Sequence, residues 1–432
     1  MWRLLVVPVA AVVLLMSLLL VFYEGRYVGQ VEVPQTADIR LPSFVVAEFA
    51  EAVEQRWGTF LVDVAHGNDF EEPELGVLLA RVADRGYKID YLGERDHRWP
   101  LRPEERLAQL EEKLRFADVL AVALPVTPYS PAEVQLIKTF VNKGGRLLLV
   151  GDPTRRHAIN SLATAFGILF EDDYLYNVVE HESNYQNIFL TVFRQHPITE
   201  DLKKVVFYAA SSIEVTGGGL IFTDLNTFSS TVEGRGSFIT LAETPTGVVA
   251  ISDLTFMTEP YNSAWSNDQL VSNIADYLTL GQRSFHLSDF PHFFGQKVDV
   301  VAGQDSLLGS ATEVRNLLLE TGREAELQRE EDFSQDTVFL DLFGSERVDH
   351  YLAEGHIRIK AEIETPFAPP LPIKNSYLLY LHQAPGRWVL ILLGDSPETV
   401  RNAVAWLRSG DFRGDLVSDN AALYHLPGSP AG

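Results

Sequence analysis

From Thr59 onward, short apolar runs alternate with amphipathic helical segments, and this alternation limits the possible folds more than any other feature of the sequence. TFLVDVA (59–65), DVLAVALP (118–125) and RLLLVGDP (146–153) have the pattern of strands buried on both faces. The segment SPAEVQLIKTFVNKGG (130–145) is typical of a helix, with an N-cap serine, a proline at its first position and a Gly-Gly end. Repeated strand–helix units predict a parallel sheet with helices on both faces.

The rest of the body divides by composition. Residues 172–250 are rich in short β-type runs separated by Gly, Asn and Ser, which predicts a β-rich insertion or an extension of the sheet edge. Before the first strand, PSFVVAEFAEAVEQRW (42–57) has helical apolar spacing and predicts a helix. The body is therefore predicted to comprise a first α/β domain at 43–283, an aromatic-rich linker at 284–296, a second and smaller α/β domain at 297–426, and a tail at 427–432.

The amino terminus contains an uncharged apolar run, Leu4–Phe22, that is long enough to cross a hydrocarbon core. No A-x-A pattern follows it, so residues 1–23 are predicted to be a retained signal-anchor transmembrane helix, with a cleaved signal peptide as the alternative. Residues 24–42 have the character of a polar stalk. This pattern predicts a single-pass protein of the cell (inner) membrane, with the bulk of the chain extracytoplasmic.

Composition excludes several classes of function. The formal net charge is -24 over 432 residues, without the basic stripe that nucleic acid requires. The chain has no cysteine, which excludes disulfides, thiolate metal sites, a lipoprotein anchor and a cysteine nucleophile. No G-x-G-x-x-G motif follows a strand, and neither a P-loop nor a G-x-S-x-G elbow occurs. No cofactor is predicted.

Polar residues follow several of the predicted strands. Ligands of open α/β sheets bind beyond the carboxyl ends of the strands, so these residues are candidates for binding a ligand. They could hold a divalent cation, orient a water for hydrolysis, or only cap helices and pin turns. The structural or ligand-holding role is favoured, and neither a catalytic residue nor a metal ligand is assigned. The candidate residues are Asp63, His66, Asn68, Thr127, Asp152, Asp253 and Asn267.

Three stretches together resemble a bacterial membrane-anchored family with a DUF4350-type domain, related to gliding-motility-type accessory proteins of ABC transporters. The resemblance spans residues 57–280 and implies a flavodoxin-like sheet of the class I glutamine amidotransferase type. The stretches are LVDVAHGNDFEEPELGVLLARVADRGYKIDYL, ADVLAVALPVTPYSPAEVQLIKTFVNKGGRLLLVGDPT and VVAISDLTFMTEPYNSAWSNDQLVSNIADYL.

The resemblance also implies that the turn Gly151-Asp152-Pro153 corresponds to the turn that carries the nucleophilic cysteine of that fold. Aspartate stands there in this chain, so amide hydrolysis by a Cys–His mechanism is excluded. We therefore expect a non-catalytic, membrane-anchored extracytoplasmic binding or scaffolding protein with a degenerate amidotransferase-like domain. An accessory subunit of an envelope or ABC-transport complex is one form of this role. The alternative is a metal- or carboxylate-dependent hydrolase of an envelope substrate, acting through Asp63, His66, Asp152 and Asp253.

Overall fold

A computed structural model describes residues 2–23, 51, 53–94, 100–281 and 283–426. The chain divides into two compact units, Met1–Ser43 and Phe44–Gly432. The first contains helix α1 (Trp2–Tyr23). Within the described part of the chain, no helix combines the length and apolar character needed to cross a membrane. Side-chain exposure in α1 is described for residues 9–20, so the predicted anchor lies partly outside the described residues and remains a prediction. The predicted stalk and tail lie outside them.

The second unit begins with the predicted strand–helix repeats. The elements are β1 (Gly58–Asp63), α2 (Glu72–Asp84), β2 (Tyr87–Leu92), α3 (Pro103–Leu114), β3 (Val119–Ala123), α4 (Pro131–Asn142), β4 (Arg146–Val150) and α5 (Asn160–Ala163). Apolar side chains alternate between two buried layers, as on β1, where Phe60 and Val62 pack in one layer and Leu61 in the other. The expectation of an α/β fold with a parallel sheet is confirmed.

Short strands follow, as predicted for the β-rich segment. They are β5 (Ile168–Phe170), β6 (Leu175–Asn177), β7 (Asn187–Leu190), β8 (Val192–Phe193), β9 (Val205–Tyr208), β10 (Ile213–Val215), β11 (Gly219–Phe222), β12 (Thr227–Ser229), β13 (Arg235–Gly236) and β14 (Ile239–Glu243). The chain then returns to the parallel sheet with β15 (Val248–Ile251) and α6 (Asn267–Thr279).

The main sheet has ten strands and combines both kinds of pairing. Its parallel part has the order β2-β1-β3-β4-β15, and β14 then pairs antiparallel with β15. Strands β10 and β5 continue this edge, while β11 and β8 join it through β14. The remaining strands of the segment form a three-stranded sheet, β13-β12-β6, and a two-stranded sheet, β7-β9. The β-rich segment therefore both extends the main sheet and builds separate small sheets.

The helix predicted over residues 42–57 is wrong for the part that the structure describes. Residues 53–57 are not helical, while 42–50 and 52 lie outside the described residues. The Arg56 N–H donates to the Arg85 carbonyl at 2.8 Å, and the Gln55 side-chain amide donates to the Asp84 carbonyl at 2.7 Å. Docking on the end of α2 satisfies carbonyls that the helix leaves without partners, and this outweighs the local helical spacing.

The remaining elements are β16 (Lys297–Ala302), α7 (Leu308–Glu320), β17 (Glu324–Gln328), β18 (Asp336–Leu342), α8 (Asp349–Glu354), β19 (Arg358–Ile359), β20 (Glu362–Glu364), β21 (Leu371–Pro372), β22 (Ser376–Ala384), β23 (Arg387–Gly394), α9 (Pro397–Ser409), β24 (Leu416–Ser418) and β25 (Ala421–His425). Seven of these strands form a second mixed sheet with the order β17-β16-β18-β23-β22-β25-β24, and three short strands pair separately as β19-β20-β21.

The aromatic-rich segment 284–296 connects the two sheets, and it packs into the second core instead of running as an extended linker. Leu287, Phe290, Phe293 and Phe294 are buried in the core beneath the second sheet. Asp289 of the same segment pairs with Lys143, which follows α4, at 3.0 Å. Burial of several phenylalanines adds apolar area to the second core, so this segment contributes to stability as well as to connection.

Candidate functional site

The strand order divides the candidate residues into separate groups. Asp63 ends β1 and His66 and Asn68 follow it, whereas Asp152 and Asp253 follow β4 and β15. Because β3 lies between β1 and β4, the first group is two strand positions from Asp152, or roughly 10 Å at the usual strand spacing. The four titratable residues Asp63, His66, Asp152 and Asp253 are all fully buried.

His66 lies at the centre of a buried polar group, here called the His66 cluster and formed with Asp63, Arg106, Tyr129 and Glu133. The His66 Nδ1 is 2.9 Å from Asp63 Oδ2, and its Nε2 is 3.4 Å from Glu133 Oε1, a charge contact without directed hydrogen-bond geometry. The Tyr129 ring stacks on the imidazole at 3.8 Å and its hydroxyl donates to Asp63 Oδ2 at 2.5 Å. Arg106 Nε donates to Glu133 Oε1 at 2.5 Å.

The electrostatics of this cluster favour a protonated His66. Burial alone would lower the pKa of His66, but the carboxylates of Asp63 and Glu133 outweigh burial and raise it. Burial alone would raise the pKa values of Asp63 and Glu133, but His66 and the other hydrogen-bond donors lower both. The cluster therefore pairs two buried cations with two buried carboxylates, which is the condition under which charges persist in a protein interior.

Asn68 and Thr127 shape the loop above this cluster. The Asn68 side chain donates to the Ala123 carbonyl at 2.7 Å and accepts the His66 N–H at 3.1 Å, so it joins the loop after β1 to β3. The Thr127 N–H donates to the His66 carbonyl at 2.9 Å, while its side chain is partly exposed. Through these hydrogen bonds, both residues stabilise the backbone of the loop after β1.

Asp152 and Asp253, here called the aspartate pair, follow adjacent strands in register, since Val150 pairs with Ile251. Asp152 Oδ1 accepts the Thr154 N–H at 2.9 Å and the Thr154 hydroxyl at 2.5 Å. Its other oxygen faces the Leu254 N–H at 3.4 Å. This is the side-chain-to-backbone pattern by which aspartate fixes a turn.

Asp253 accepts the N–H of Tyr208 at 2.6 Å and of Thr255 at 2.8 Å. Burial and the nearby charge of Asp152 raise the pKa of Asp253 well above its usual range, although the backbone N–H donors act in the opposite direction. One carboxyl of the pair therefore keeps its proton to a higher pH than an exposed aspartate does.

The side chains of Asn267 and Asp253 both form hydrogen bonds with the short strand β9. The Asn267 side chain accepts the Val206 N–H at 2.9 Å and donates to the Val206 carbonyl at 2.9 Å. Asp253 binds the N–H of Tyr208, two residues further along β9. The two side chains therefore make the hydrogen bonds that a neighbouring strand would make along one edge of β9. Asn267 binds β9 and is not part of the His66 cluster.

An open cleft of about 550 Å³ lies above the strand ends. Arg155 crosses it, donating to Glu74 Oε2 at 2.8 Å and to the Asp69 carbonyl at 2.7 Å. Of the candidate residues only Asn68 lines this cleft; the lining consists of Gly67, Asn68, Asp69, Phe70, Glu71, Glu74, Val126 and Arg155. The predicted candidates include none of the other lining residues, nor Arg106, Tyr129 and Glu133. Ser130 and Glu133 have the spacing of a capping box, but the long-range pairing of Glu133 has no local signal.

The arrangement does not gather metal ligands in the way that a hydrolytic metal centre needs. Among the described residues, no group of three or more His, Cys, Asp and Glu side chains could hold a metal ion. Fully buried carboxylates whose oxygens already accept backbone N–H groups can stabilise turns, but they are poorly placed to meet a substrate.

Comparisons with known proteins give no family. No protein-family model matches the chain, and no curated protein matches it. Among solved structures, the N-terminal domain of mmIFT52 aligns with 16% identity and a TM-score of 0.42, over 52% of this chain and 99% of that chain. The cytoplasmic protein STM3548 from Salmonella typhimurium aligns with 13% identity and a TM-score of 0.30, over 52% and 100%. A ThuA-like protein from Parabacteroides merdae gives 9% identity and 0.29, over 52% and 90%. At these TM-scores none of the similarities assigns a fold family or a function.

Proposed function

We propose that this chain is a non-catalytic, membrane-anchored extracytoplasmic binding or scaffolding protein whose first domain is flavodoxin-like and of the degenerate amidotransferase type. The order of the parallel strands supports the fold assignment. Numbered along the chain, the five strands follow 2-1-3-4-5, which is the flavodoxin-like order. The apolar composition of residues 4–22 supports the anchor.

The burial and hydrogen bonding of Asp152 are the main support for a non-catalytic role. It lies in the loop after β4, where the amidotransferase resemblance places a nucleophile, but it is fully buried and accepts hydrogen bonds from the backbone and side chain of Thr154. A nucleophile must reach a substrate atom, whereas a turn-fixing carboxylate must be enclosed. The geometry at Asp152 favours the second task.

The cleft above the strand ends is then the place where a ligand or partner binds. Its walls come from the loops after β1 and β3 and from Arg155, and the His66 cluster fixes the first of these loops from below. Buried hydrogen bonds hold the loop beneath this open cleft, which leaves the polar groups of the lining available to bind a ligand or partner. If the anchor holds the domain at a membrane, an accessory subunit of an envelope or transport complex would use this cleft to contact its partner.

Photocrosslinking in the native membrane tests this proposal. A photoreactive amino acid replaces Val126, which is 48% exposed in the cleft, or Leu319 on α7, which is 47% exposed, in otherwise identical full-length chains. We expect a discrete adduct from position 126 and none from position 319. Equal adducts from both positions would contradict a role of the cleft. Hydrolysis of an amide or ester by the purified chain that Asp152→Asn abolishes would instead support the hydrolase alternative.

A further inference from the structure

The small sheet β13-β12-β6 carries an unusual exposed surface, here called the aromatic face and formed by Tyr174, Tyr176, Tyr185, Phe228 and Arg235. Phe228 pairs with Tyr176 on one side and with Arg235 on the other, so the three side chains form one cross-strand row. The rings of Tyr176 and Phe228 stack at 5.3 Å, and the Arg235 guanidinium lies 5.3 Å from the centre of the Phe228 ring.

Two further tyrosines extend this row on the β6 side. Tyr174 and Tyr185 lie 6.2 Å and 6.1 Å from Tyr176, measured between ring centres. Tyr174 is 42% exposed and Tyr185 is 51% exposed, and the valines 178 and 179 directly after β6 are also exposed. Cross-strand aromatic pairs stabilise a sheet. This stabilisation does not require the outer rings, those of Tyr174 and Tyr185, to be exposed to water.

The area of the aromatic face is suited to an interface. An aromatic side chain buries about 150–250 Å² when it is covered, so Tyr174 and Tyr185 alone offer on the order of 200 Å². With the exposed valines that follow β6, this region offers a few hundred Å² of apolar surface, about the size of the largest patch on a typical single chain, and such patches often mark interaction sites. That is enough for the apolar centre of an interface in which each partner contributes about 800 Å².

The charges around the aromatic face fit a second copy of the same surface. Arg235 lies at the β13 end of the row, whereas the exposed Glu180 follows the strand at the other end, β6. In a two-fold arrangement the cationic end of each copy meets the acidic end of the other, as an isologous contact requires. Arginine and tyrosine are also the residues enriched where interfaces concentrate their binding energy.

We propose that the aromatic face is the contact surface of a homodimer, formed by two copies packed across the sheet β13-β12-β6. This surface lies on a different part of the chain from the cleft and needs neither the cleft nor the anchor. If the dimer is disproved, the proposed binding role of the cleft is therefore unaffected. If the binding role of the cleft is disproved, the proposed dimer is likewise unaffected.

Sedimentation equilibrium of the full chain in density-matched detergent tests the dimer. The variant Arg235→Glu/Tyr185→Glu leaves both ends of the face acidic, so that like charges meet across the two-fold contact, and Leu319→Glu on α7 is a control of similar exposure. We expect wild type and the control to dimerise with the same constant, and the double variant to dimerise at least tenfold more weakly. A wild-type chain that remains monomeric when pure would overturn the proposal and would favour a different protein as the occupant. A dimer that the double variant leaves unchanged would also overturn it.

A second measurement is independent of whether the charged variant folds. Because the chain has no cysteine, Ser230→Cys, directly after the central strand β12, and Leu319→Cys each introduce a single site for a spin label. A two-fold contact that brings the β13 end of one copy over the β6 end of the other brings β12 over itself, so we expect a short and narrow distance between labels at position 230 of two copies, and longer or broad distances from position 319. The reverse pattern would place the contact elsewhere and overturn the proposal.

Discussion

Replacing Asp253 with asparagine should change how the stability of the protein depends on pH. Burial and the charge of Asp152 raise the pKa of Asp253 well above its ordinary value. The folded chain therefore keeps this proton where the unfolded chain, with a pKa of about 3.9, has released it. The contribution to stability is complete below the unfolded pKa and is lost as the pH rises towards the folded pKa, at about 1.4 kcal/mol per pH unit.

The size of the effect at low pH follows from the two N–H groups that Asp253 accepts, those of Tyr208 and Thr255. An asparagine can accept only one of them and turns its own N–H groups towards the other, at a cost of about 1–3 kcal/mol. Through Asp253, the free energy of unfolding of wild type falls by about 1.4 kcal/mol per pH unit above the unfolded pKa. This fall equals the cost of the asparagine substitution roughly one to two units above pH 4. We expect Asp253→Asn to be less stable than wild type at pH 4.5 and at least as stable at pH 7.

Urea unfolding of both full-length proteins between pH 4.5 and 8, followed by circular dichroism, measures this crossing. Carboxyl groups outside the aspartate pair contribute equally to both proteins, so the difference between the two curves reports on this pair. Asp69→Asn, at an exposed carboxylate on the cleft, is the matched control and should run parallel to wild type. A difference between wild type and Asp253→Asn that does not change with pH would refute the assigned role.

Three further substitutions test other parts of the fold by the same unfolding measurement. The raised pKa of His66 means that its stabilisation is complete below about pH 6.5 and is lost as the pH rises through the folded pKa. His66→Gln should therefore cost about 3–5 kcal/mol near pH 6 and less at pH 9, and an equal cost at both would contradict a buried imidazolium. Glu51→Gln removes one partner of the buried Arg85, which keeps Asp276, so it should cost about 1–3 kcal/mol, against less than about 0.5 for the exposed Glu54→Gln. Ser130→Ala should cost about 1 kcal/mol, because Ser130 caps α4 together with Glu133, and no loss would argue against the capping box.

The sequence predicts the strand–helix alternation well because local signals are strong there. Strands such as β3 and β4 are buried on both faces and consist of uninterrupted apolar residues, while α4 begins and ends at recognisable capping residues. Such patterns depend on neighbours in the chain and need no tertiary information. The parallel sheet follows from them.

Long-range polar contacts could not be predicted in this way. Glu133 is an acidic residue in the first turn of α4, a common capping position, but its pairing with Arg106 and His66 depends on how α3, α4 and the loop after β1 meet. The helix expected up to Trp57 failed for a similar reason, because Gln55 and Arg56 bind carbonyls at the end of α2. In both cases a tertiary partner decides the role of a residue whose local pattern permits another.

Asp63, Asp152 and Asp253 lie at strand ends, as the strand pattern predicts, whereas Asn267 begins α6. The exposure of these side chains has no local signal in the sequence. The rule that ligands bind beyond the carboxyl ends of strands locates the cleft. It does not show that Asp63, Asp152 and Asp253 face inward, whereas Asp69 and Arg155 line the cleft. Burial is a property of the assembled loops, and several short strands of the β-rich segment contribute to it.

Carbodiimide labelling of carboxyl groups, read by peptide mass spectrometry, tests most directly whether the strand-end carboxylates support the fold. In the native full-length chain we expect rapid modification of the exposed Asp69 and none of Asp63, Asp152 or Asp253, all of which are fully buried. In urea all four should react. Modification of Asp152 in the native protein at a rate similar to that of Asp69 would place this carboxylate in contact with solvent and substrate, and would contradict the non-catalytic account.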